Sequence, residues 1–442
     1  MNTKSPAYEI IKSRADGMKV RLCTPAHQGR SGKTQYFEDQ IYGLDFTWLN
    51  RSRTEGVEKN LSQLYNTKQT FFLTGGATQG MLVVCALLAR KHRRVALGLN
   101  SHAAVIHGLV LSGLEPFFIP SQEVMPTAAE AIAALEGEGK DVTSVILTAP
   151  SYDGKVTDIG KIVDYCRERK IELVVDEAHG THFPFLSPKL DSGLSEGADV
   201  VVHSLHKYAG SLVQTALLHL PAESQVKKAE VQTALSLFET TTRSNLLILS
   251  IEDSISTAFG QEGRAEFVKA ARNCDRLREQ IRDFGEVLSY NEGVRDPLKL
   301  FLQSDRASGA EIEELLYSRG IDDEYADENG VLLIFSFQHT EADFEYVGRA
   351  LKEIQEIISP KPKRREVEAG YYSREPVMRK LPRESFFTSK ERWPLGEALG
   401  KISCRCLTKV PPGSPILIPG EEITDWHLQR VESDTVVEAI KG

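Results

Sequence analysis

The chain has 442 residues, of which 41% are hydrophobic and 26% are charged, and its formal net charge is −9 at pH 7. One hydrophobic core rarely serves a chain of this length, so we expect two or three domains with a large buried surface. The negative charge disfavours nucleic acid and membranes as partners, because both bind surfaces rich in Lys and Arg. This composition favours a small-molecule ligand.

The cysteine pattern and the hydropathy both indicate a soluble, cytoplasmic protein. The cysteines form no Cys-x-x-Cys pair and mostly lie in apolar helix or strand patterns, which is typical of reduced, buried thiols. The chain contains no apolar stretch long enough to span a bilayer. The six cysteines are Cys23, Cys85, Cys166, Cys274, Cys404 and Cys406.

From about Asn66 to Leu220, short apolar runs alternate with helical periods, as in βα units around a mostly parallel sheet. Thr127 and Glu130 form a capping box that starts one of the intervening helices. We expect strands at 95–99, 116–119, 144–149, 172–175, 199–203 and 216–220. These elements predict a large, doubly wound α/β domain over residues 56–265, preceded by an N-terminal segment, 1–55.

A second, smaller α/β pattern follows a long helical stretch. Strand 298–303, a helix capped by Ser308 and Glu311, strand 331–336 and a helix from about Glu341 predict a small domain over 266–358. A basic, proline-containing stretch at 360–365 marks the next boundary, and a turn-rich run at 411–420 lies beyond it. We expect 359–442 to form a C-terminal appendage.

A glycine-rich turn, Gly75-Gly76-Ala77-Thr78-Gln79-Gly80, leads from an extended segment into an apolar helix. Amides at a helix N-terminus bind phosphate, and the Thr78 hydroxyl adds a donor. The structural alternative is a plain turn into a helix. Because no lysine ends the turn, it does not match a nucleoside-triphosphate loop.

Polar side chains follow two of the predicted strands. Asp176 directly follows the predicted strand 172–175, and Asn100-Ser101-His102 follows the predicted strand 95–99. Ligands of open α/β sheets bind at the carboxyl ends of strands, so both positions face a candidate ligand. The alternatives are a helix-capping acid and a hydrogen-bonded structural histidine.

Lys207 lies just after the apolar strand 199–203 and follows Ser204 and His206. This setting suits a lysine that must lose its proton to become a nucleophile, although a single lysine is usually a solvated surface charge. Together with the glycine-rich turn, His102 and Asp176, it predicts a pyridoxal 5'-phosphate site. That cofactor needs a Schiff-base lysine, an acidic partner for its ring nitrogen and a helix N-terminus for its phosphate.

The competing interpretation is a helicase. Asp176-Glu177-Ala178-His179 also spells a DEAH box, and Ser31-Gly32-Lys33-Thr34 ends like a nucleotide-binding loop. However, His27 stands where the first glycine of that loop belongs, no arginine-rich helicase motif follows, and the chain is acidic. We therefore favour pyridoxal phosphate.

The chain resembles the Orn/Lys/Arg decarboxylase family, which are pyridoxal-phosphate enzymes of the aspartate-aminotransferase fold (fold type I). The similarity spans most of the chain, and its length resembles the short members without an N-terminal wing domain. The resemblance implies a homodimer or a higher oligomer of dimers. The motifs that carry it are 150–154 (PSYDG), 176–180 (DEAHG), 204–207 (SLHK), 211–214 (SLVQ), 240–242 (TTT) and 411–421 (PPGSPILIPGE).

The resemblance also implies residue roles. Lys207 would carry the cofactor as a Schiff base, Asp176 would pair with the pyridine nitrogen, His102 would stack on the ring, and Lys207 or His206 would return the proton. These four residues form the implied catalytic set, and no metal is expected. The implied cofactor-binding residues are Gly76, Ala77, Thr78, Gln79, His102, Asp176, Ala178, His179, Ser204, His206 and Lys207.

Two departures from the family pattern concern the substrate side. Pro25-Ala26-His27-Gln28 stands where the family usually has Pro-Gly-His-Lys, and Asn100-Ser101-His102-Ala103-Ala104 replaces Asn-x-His-Lys-Ser. A basic substrate needs a negative group at the far end of its pocket. Glu324, in an acidic run before strand 331–336, is the candidate, with a solvated acidic turn as the alternative.

We predict a pyridoxal-phosphate-dependent decarboxylase of arginine, lysine or ornithine that yields a polyamine or a polyamine precursor. Two alternatives stay open at this point. One is another pyridoxal-phosphate reaction, such as transamination or decarboxylation of a different amino acid. The other is a non-catalytic relative that binds the cofactor and has a regulatory role.

Overall fold

The computed structural model describes residues 17–28, 54–91, 93–186, 190–293, 296–363, 374–409 and 413–441. Two segments named above lie outside these residues. They are residues 31–34, which end like a nucleotide-binding loop, and residues 411–412, which begin the C-terminal motif.

Seventeen strands are assigned in the described part of the chain. In order they are β1 (Val20–Leu22), β2 (Gln69–Leu73), β3 (Arg94–Gly98), β4 (Glu115–Ile119), β5 (Ser144–Thr148), β6 (Glu172–Asp176), β7 (Val200–Ser204), β8 (Ala216–Leu220), β9 (Ser289–Tyr290), β10 (Lys299–Gln303), β11 (Ile321–Asp323), β12 (Tyr325–Ala326), β13 (Val331–Ile334), β14 (Lys390–Pro394), β15 (Leu407–Lys409), β16 (Ser414–Leu417) and β17 (Val436–Ile440).

The α-helices of the same residues are α1 (Glu55–Tyr65), α2 (Gly76–Leu88), α3 (Ala103–Ser112), α4 (Ala128–Glu136), α5 (Ile159–Arg169), α6 (Gly193–Glu196), α7 (Leu205–Tyr208), α8 (Lys228–Leu235), α9 (Asn245–Phe259), α10 (Gln261–Arg282), α11 (Gly309–Tyr317), α12 (Glu341–Ile358), α13 (Pro382–Phe386) and α14 (Asp425–Leu428). Short 3₁₀ helices occur at Phe183–Phe185 and Leu395–Glu397. The predicted capping boxes at Thr127 and Ser308 are both present.

A seven-stranded sheet, in the order β2-β8-β7-β6-β5-β3-β4, organises the larger part of the molecule. Each of the six predicted strands is found within two residues of its expected bounds. Only β8 runs against its neighbours β2 and β7, so the prediction of a mostly parallel sheet is confirmed. The carboxyl ends of the other six strands therefore meet at one edge.

Both faces of this sheet are covered by helices. Successive residues of a strand point to opposite faces, so Val200 and Val202 of β7 pack in the cluster that contains α2 and α3. Val201 packs in the cluster that contains α4 and α5. A strand buried on both faces reads as a continuous apolar run, which explains why β7 shows no alternation.

The smaller part of the molecule is built on an antiparallel sheet, β12-β13-β10-β9. The N-terminal strand β1 pairs in parallel with β11, so Val20 lies opposite Ile321. The predicted boundary at 265 falls inside α10, and the domain boundaries as a set stay a prediction.

The C-terminal residues form two two-stranded sheets, β14-β17 and β15-β16. Their own core includes Leu395, Leu417 and Ile423. Ile418 instead packs in the cluster that contains α2 and α3, which anchors the appendage to the large sheet domain. Within the described ranges, every helix is too short or too polar to cross a membrane.

Candidate active site

A cavity of about 470 Å³ opens at the edge where the parallel strands end. It is lined by the segments that follow β2, β3, β5, β6 and β7, by residues just before β8 and by the first residue of β16. The lining residues are Gly75, Gly76, Ala77, Thr78, Met81, Asn100, His102, Ala104, Thr148, Pro150, Tyr152, Asp176, Ala178, His179, Ser204, His206, Lys207, Val213, Gln214 and Ser414.

Every predicted cofactor-binding residue lines this cavity except Gln79. The Gln79 side chain turns away from the cavity because its amide is used elsewhere. Its Oε1 accepts from the Gly75 N–H at 2.9 Å, and its Nε2 donates to the Phe238 carbonyl at 3.0 Å. Gln79 thus stabilises the glycine-rich turn from the side that faces away from the cavity.

The glycine-rich turn places the N-terminus of α2 at the cavity. Gly76 has φ +73°, a left-handed conformation that favours glycine. Its N–H donates to the Gln214 carbonyl at 2.7 Å, which ties this turn to the segment before β8. The next amides of α2 have no earlier helical carbonyl to bond, so they are available to an anion.

Lys207 lies in the short helix α7, three residues after β7 ends, and its Nζ is 2.8 Å from His179 Nε2. The surrounding protein desolvates the amine and so lowers the pKa of Lys207, while the charges of Asp176 and Glu324 oppose the shift. Desolvation therefore favours the neutral, nucleophilic form of the amine.

Asp176 is the last residue of β6, and only 4% of its surface is exposed. Its Oδ1 accepts from the Ala178 N–H at 3.2 Å. Burial raises the pKa of Asp176, and the Lys207 charge lowers it. A buried carboxylate that keeps unused lone pairs toward a cavity needs a cationic or N–H partner there.

His102 caps the N-terminus of α3, where its Nδ1 accepts from the Ala104 N–H at 3.0 Å. Partial desolvation lowers the pKa of His102, and Lys207 and His107 add to the decrease. Gly413 of the C-terminal appendage packs on the ring. A Cβ at that position would lie 2.9 Å from both Cδ2 and Nε2 of His102, so a larger residue at 413 would displace the imidazole.

His206 directly precedes Lys207 in the sequence, and its Nδ1 is 3.1 Å from Ser204 Oγ and 3.3 Å from the Thr215 carbonyl. Burial lowers the pKa of His206 to about 4, and Lys207 adds to the decrease. The ring is therefore neutral at pH 7 and serves to orient Ser204.

Tyr152 is a site residue that the sequence reasoning did not single out, although it lies in the motif 150–154. Its ring is edge-on to His179, with centroids 4.9 Å apart, and its hydroxyl donates to Glu324 Oε1 at 2.6 Å. Glu324 Oε2 accepts from the Thr24 N–H at 2.6 Å. Glu324 is thus held between the cavity wall and the N-terminal segment.

Comparisons with solved structures identify the fold class of the chain. The fold is shared with the lysine decarboxylase LdcF of Francisella novicida, with a TM-score of 0.76 and 14% identity over 98% of this chain and 80% of that one. Lysine decarboxylase A of Pseudomonas aeruginosa gives a TM-score of 0.74 at 14% identity, over 100% and 84% of the two chains. The chain therefore has the predicted fold-type-I architecture.

The family follows from the sequence comparison. The sequence model of the Orn/Lys/Arg decarboxylase major domain matches residues 6–295, so the chain belongs to this family. It is 26% identical to an arginine decarboxylase of Halalkalibacterium halodurans, over 98% of this chain and 93% of that protein. An arginine decarboxylase of Bacillus subtilis is also 26% identical, over 97% and 93%. The predictions of the family and of an amino-acid decarboxylase are confirmed.

Proposed function

We propose that the protein is a pyridoxal-phosphate-dependent decarboxylase whose substrate is arginine. The observation that carries this proposal is the placement of the desolvated Lys207 amine in one cavity with the Asp176 carboxylate and the N-terminus of α2. The choice of arginine among the basic amino acids is supported by the relatives of nearly equal length that are named arginine decarboxylase.

The residues present fit the cofactor. Two buried cavity atoms, Thr148 Oγ1 and Asn100 Oδ1, have no hydrogen-bond partner among the described residues, so this wall is suited to a polar ligand. We assign the phosphate to the amides of Ala77 and Thr78, which follow Gly76, together with Ser204, and the ring nitrogen to Asp176. His102 and Ala178 then bound the two faces of the ring.

The cofactor, when bound, supplies an electron sink for the electrons that a departing carboxylate leaves behind. The residues of the chain provide the rest. Lys207 offers a neutral amine, and Asp176 provides a fixed negative charge that keeps the ring nitrogen protonated. His179 Nε2, 2.8 Å from Lys207 Nζ, is placed to hold or return a proton at that amine.

We assign the cationic end of the substrate to Glu324. Its carboxylate is oriented by Tyr152 and Thr24, and its charge acts on Lys207 across the site. Its three donors are the Tyr152 hydroxyl, the Thr24 N–H and the Thr24 hydroxyl, the last at 3.3 Å from Oε1. They leave room for a further hydrogen bond, since a carboxylate has about four acceptor positions. A guanidinium would complete this set with a charge-assisted bond.

We further propose that a second copy of the chain covers the open side of the cavity. Val213 lines the cavity yet is 53% exposed, and its neighbour Leu212 is 36% exposed. Light scattering with size-exclusion chromatography is expected to give at least twice the chain mass, and Val213→Glu to reduce it. We also propose a cytoplasmic location, which suits six free cysteines.

The test is release of carbon dioxide from carboxyl-labelled arginine, lysine and ornithine by the purified protein with pyridoxal phosphate. We expect arginine to react fastest and Lys207→Ala to be inactive. Faster reaction of lysine or ornithine would overturn the substrate assignment. Keto-acid formation without carbon dioxide would establish transamination instead, and inactivity with all three despite bound cofactor would favour a non-catalytic role.

Substrate recognition is tested separately with Glu324→Gln. We expect KM for arginine to rise at least tenfold, because a neutral amide loses the charge-assisted bond. The matched control is Glu328→Gln, in the same acidic stretch but on an exposed turn, and its KM is expected to stay within twofold of the wild-type value. Equal effects of the two variants would remove Glu324 from the substrate site.

A further inference from the structure

Lys299 is a second lysine beside the site and, unlike Lys207, it is fully buried. It begins β10, and its Nζ donates to the carbonyls of Tyr152 at 2.6 Å and Ser151 at 3.4 Å. The charged groups that act on its ammonium are Asp296, Lys207, Asp153 and Glu324.

Burying this ammonium is costly, and the surroundings offset the cost only in part. Burial lowers the pKa of Lys299 to about 8, Asp296 acts against the shift, and repulsion from Lys207 adds to it. A methionine of similar length would fill the same space without a charge to desolvate. A charge retained at such a cost next to a reactive group indicates a functional use.

The contacts of Lys299 lead directly into the active site. Tyr152 is held at both ends, since Lys299 binds its carbonyl and Glu324 accepts from its hydroxyl. The Tyr152 ring lies edge-on to His179, which in turn contacts Lys207 Nζ. A short path of contacts therefore connects the Lys299 ammonium with the Lys207 amine.

We propose that Lys299 is a positioning residue for the reaction, which holds Tyr152 against His179 and places a cationic side chain behind Lys207. This rests on the proposed function only in taking Lys207 as the reactive amine. A Coulomb interaction acts equally on both charges, so the Lys299 ammonium disfavours protonation of Lys207. We therefore expect removal of that charge to raise the pKa of Lys207.

Arg278 provides a matched control. From α10, its Nη2 donates to the carbonyls of Asp296, Pro297 and Lys299 at 3.4, 3.1 and 2.7 Å. It thus holds the same backbone segment with a cationic side chain, but its hydrogen bonds go to that segment and to Asp275, and not to the Tyr152 carbonyl. A purely structural role of Lys299 would make the Lys299 and Arg278 variants behave alike.

The experiment measures the reactivity of Lys207 in the cofactor-free protein. Trace acetylation with acetic anhydride from pH 6 to 10, quantified at Lys207 by mass spectrometry, reports the fraction of free amine. For Lys299→Gln we expect the midpoint to move upward by about one pH unit. For Arg278→Gln and for Lys299→Arg, which keeps the charge, we expect the wild-type midpoint.

An unchanged midpoint in Lys299→Gln, or equal shifts in Lys299→Gln and Arg278→Gln, would overturn the proposal. Thermal melting of each variant verifies that it is folded, and Lys299→Met replaces Lys299→Gln where the latter does not fold. Because no amino acid and no cofactor are present, the result is independent of the decarboxylation assay. A wrong substrate assignment would leave the labelling result intact.

Discussion

Lys207 Nζ lies 2.8 Å from His179 Nε2, and the two residues come from the turns that follow the adjacent strands β7 and β6. Burial lowers the pKa of His179 well below its usual value, and Lys207 and Lys299 add to the decrease. The imidazole is therefore neutral at pH 7 and can accept a hydrogen bond from the lysine. This pair connects a strand-end motif of the sequence with the chemistry of the cavity.

Replacing His179 by Gln is expected to lower kcat/KM for decarboxylation by about 10²-fold, because a positioned proton acceptor at Lys207 is lost. The measurement is steady-state kinetics at saturating cofactor. The control is His107→Gln, an exposed position on α3 outside the cavity, which is expected to keep wild-type kinetics. A His179 variant with unaltered kcat/KM would remove this residue from the mechanism.

Replacing Lys207 by Ala is expected to abolish the visible absorption of lysine-bound pyridoxal phosphate, since no other lysine lines the cavity within the described residues. The spectrum is recorded after dialysis against excess cofactor. Lys155→Ala, which removes a surface ion pair with Glu123, is expected to retain the band. Retention of the band by the Lys207 variant would show that the cofactor assignment is wrong.

The stability of the fold is expected to decrease as pH falls below about 6.5, in part through His219. Burial lowers the pKa of His219 well below its usual value, and the nearby His203 adds to this. Between the folded and unfolded pKa values the unfolded chain binds more protons, so the contribution of His219 is present above pH 6.5 and is lost on acidification.

Urea unfolding at pH 5 and 6 measures this effect. We expect His219→Gln to reduce the pH slope of the unfolding free energy by up to about 1.4 kcal/mol per pH unit, the value for one proton. The variant also loses the bond between His219 and Thr70, which lowers stability equally at both pH values. A slope identical to that of the wild type would contradict the assignment of this proton.

The C-terminal appendage is expected to depend on the buried ion pair of Arg374 with Glu421. Their side chains are 6% and 1% exposed, and Glu421 also accepts from the Ile418 N–H at 3.0 Å. Glu421→Ala would leave the buried Arg374 guanidinium without a carboxylate and with the Ile416 carbonyl as its remaining acceptor among the described residues. We therefore expect the unfolding free energy to fall by about 3–5 kcal/mol.

The neighbouring pair of Arg379 with Glu422 is the control, since its side chains are 57% and 27% exposed. Glu422→Ala is expected to cost less than about 1 kcal/mol, because water screens an exposed pair. Denaturant unfolding of both variants gives the comparison. Equal losses would show that burial does not decide the strength of the Arg374 pair.

The local pattern of the sequence predicted most of the large sheet and most of the cavity. Six strands were expected from apolar runs, and all six are present, because strand formation depends on residues within a few positions of one another. The rule that parallel strands end at one edge then brought His102, Asp176 and Lys207 together. Of the predicted site residues, Gln79 and Glu324 do not line the cavity, and the Gln79 amide bonds to the Phe238 carbonyl instead.

Other features depend on contacts between segments that are far apart in the sequence. The hydrophobic periodicity of a short stretch of sequence does not predict such contacts. The pairing of β1 with β11 brings Thr24 to Glu324, 300 residues away. Gly413 reaches His102 only because the appendage packs back onto the large sheet domain. Neither contact has a local signal in the sequence.

The sequence by itself therefore predicted the fold family and the cofactor-type motifs and singled out Lys207, because these predictions rest on local spacing and on strand-end geometry. Only the tertiary structure decided what surrounds that lysine. Lys299 reads as an ordinary lysine at the start of an apolar strand, and its place under Tyr152 exists because the small domain packs against the turn after β5. Burial and charge at such a contact are set by both segments together.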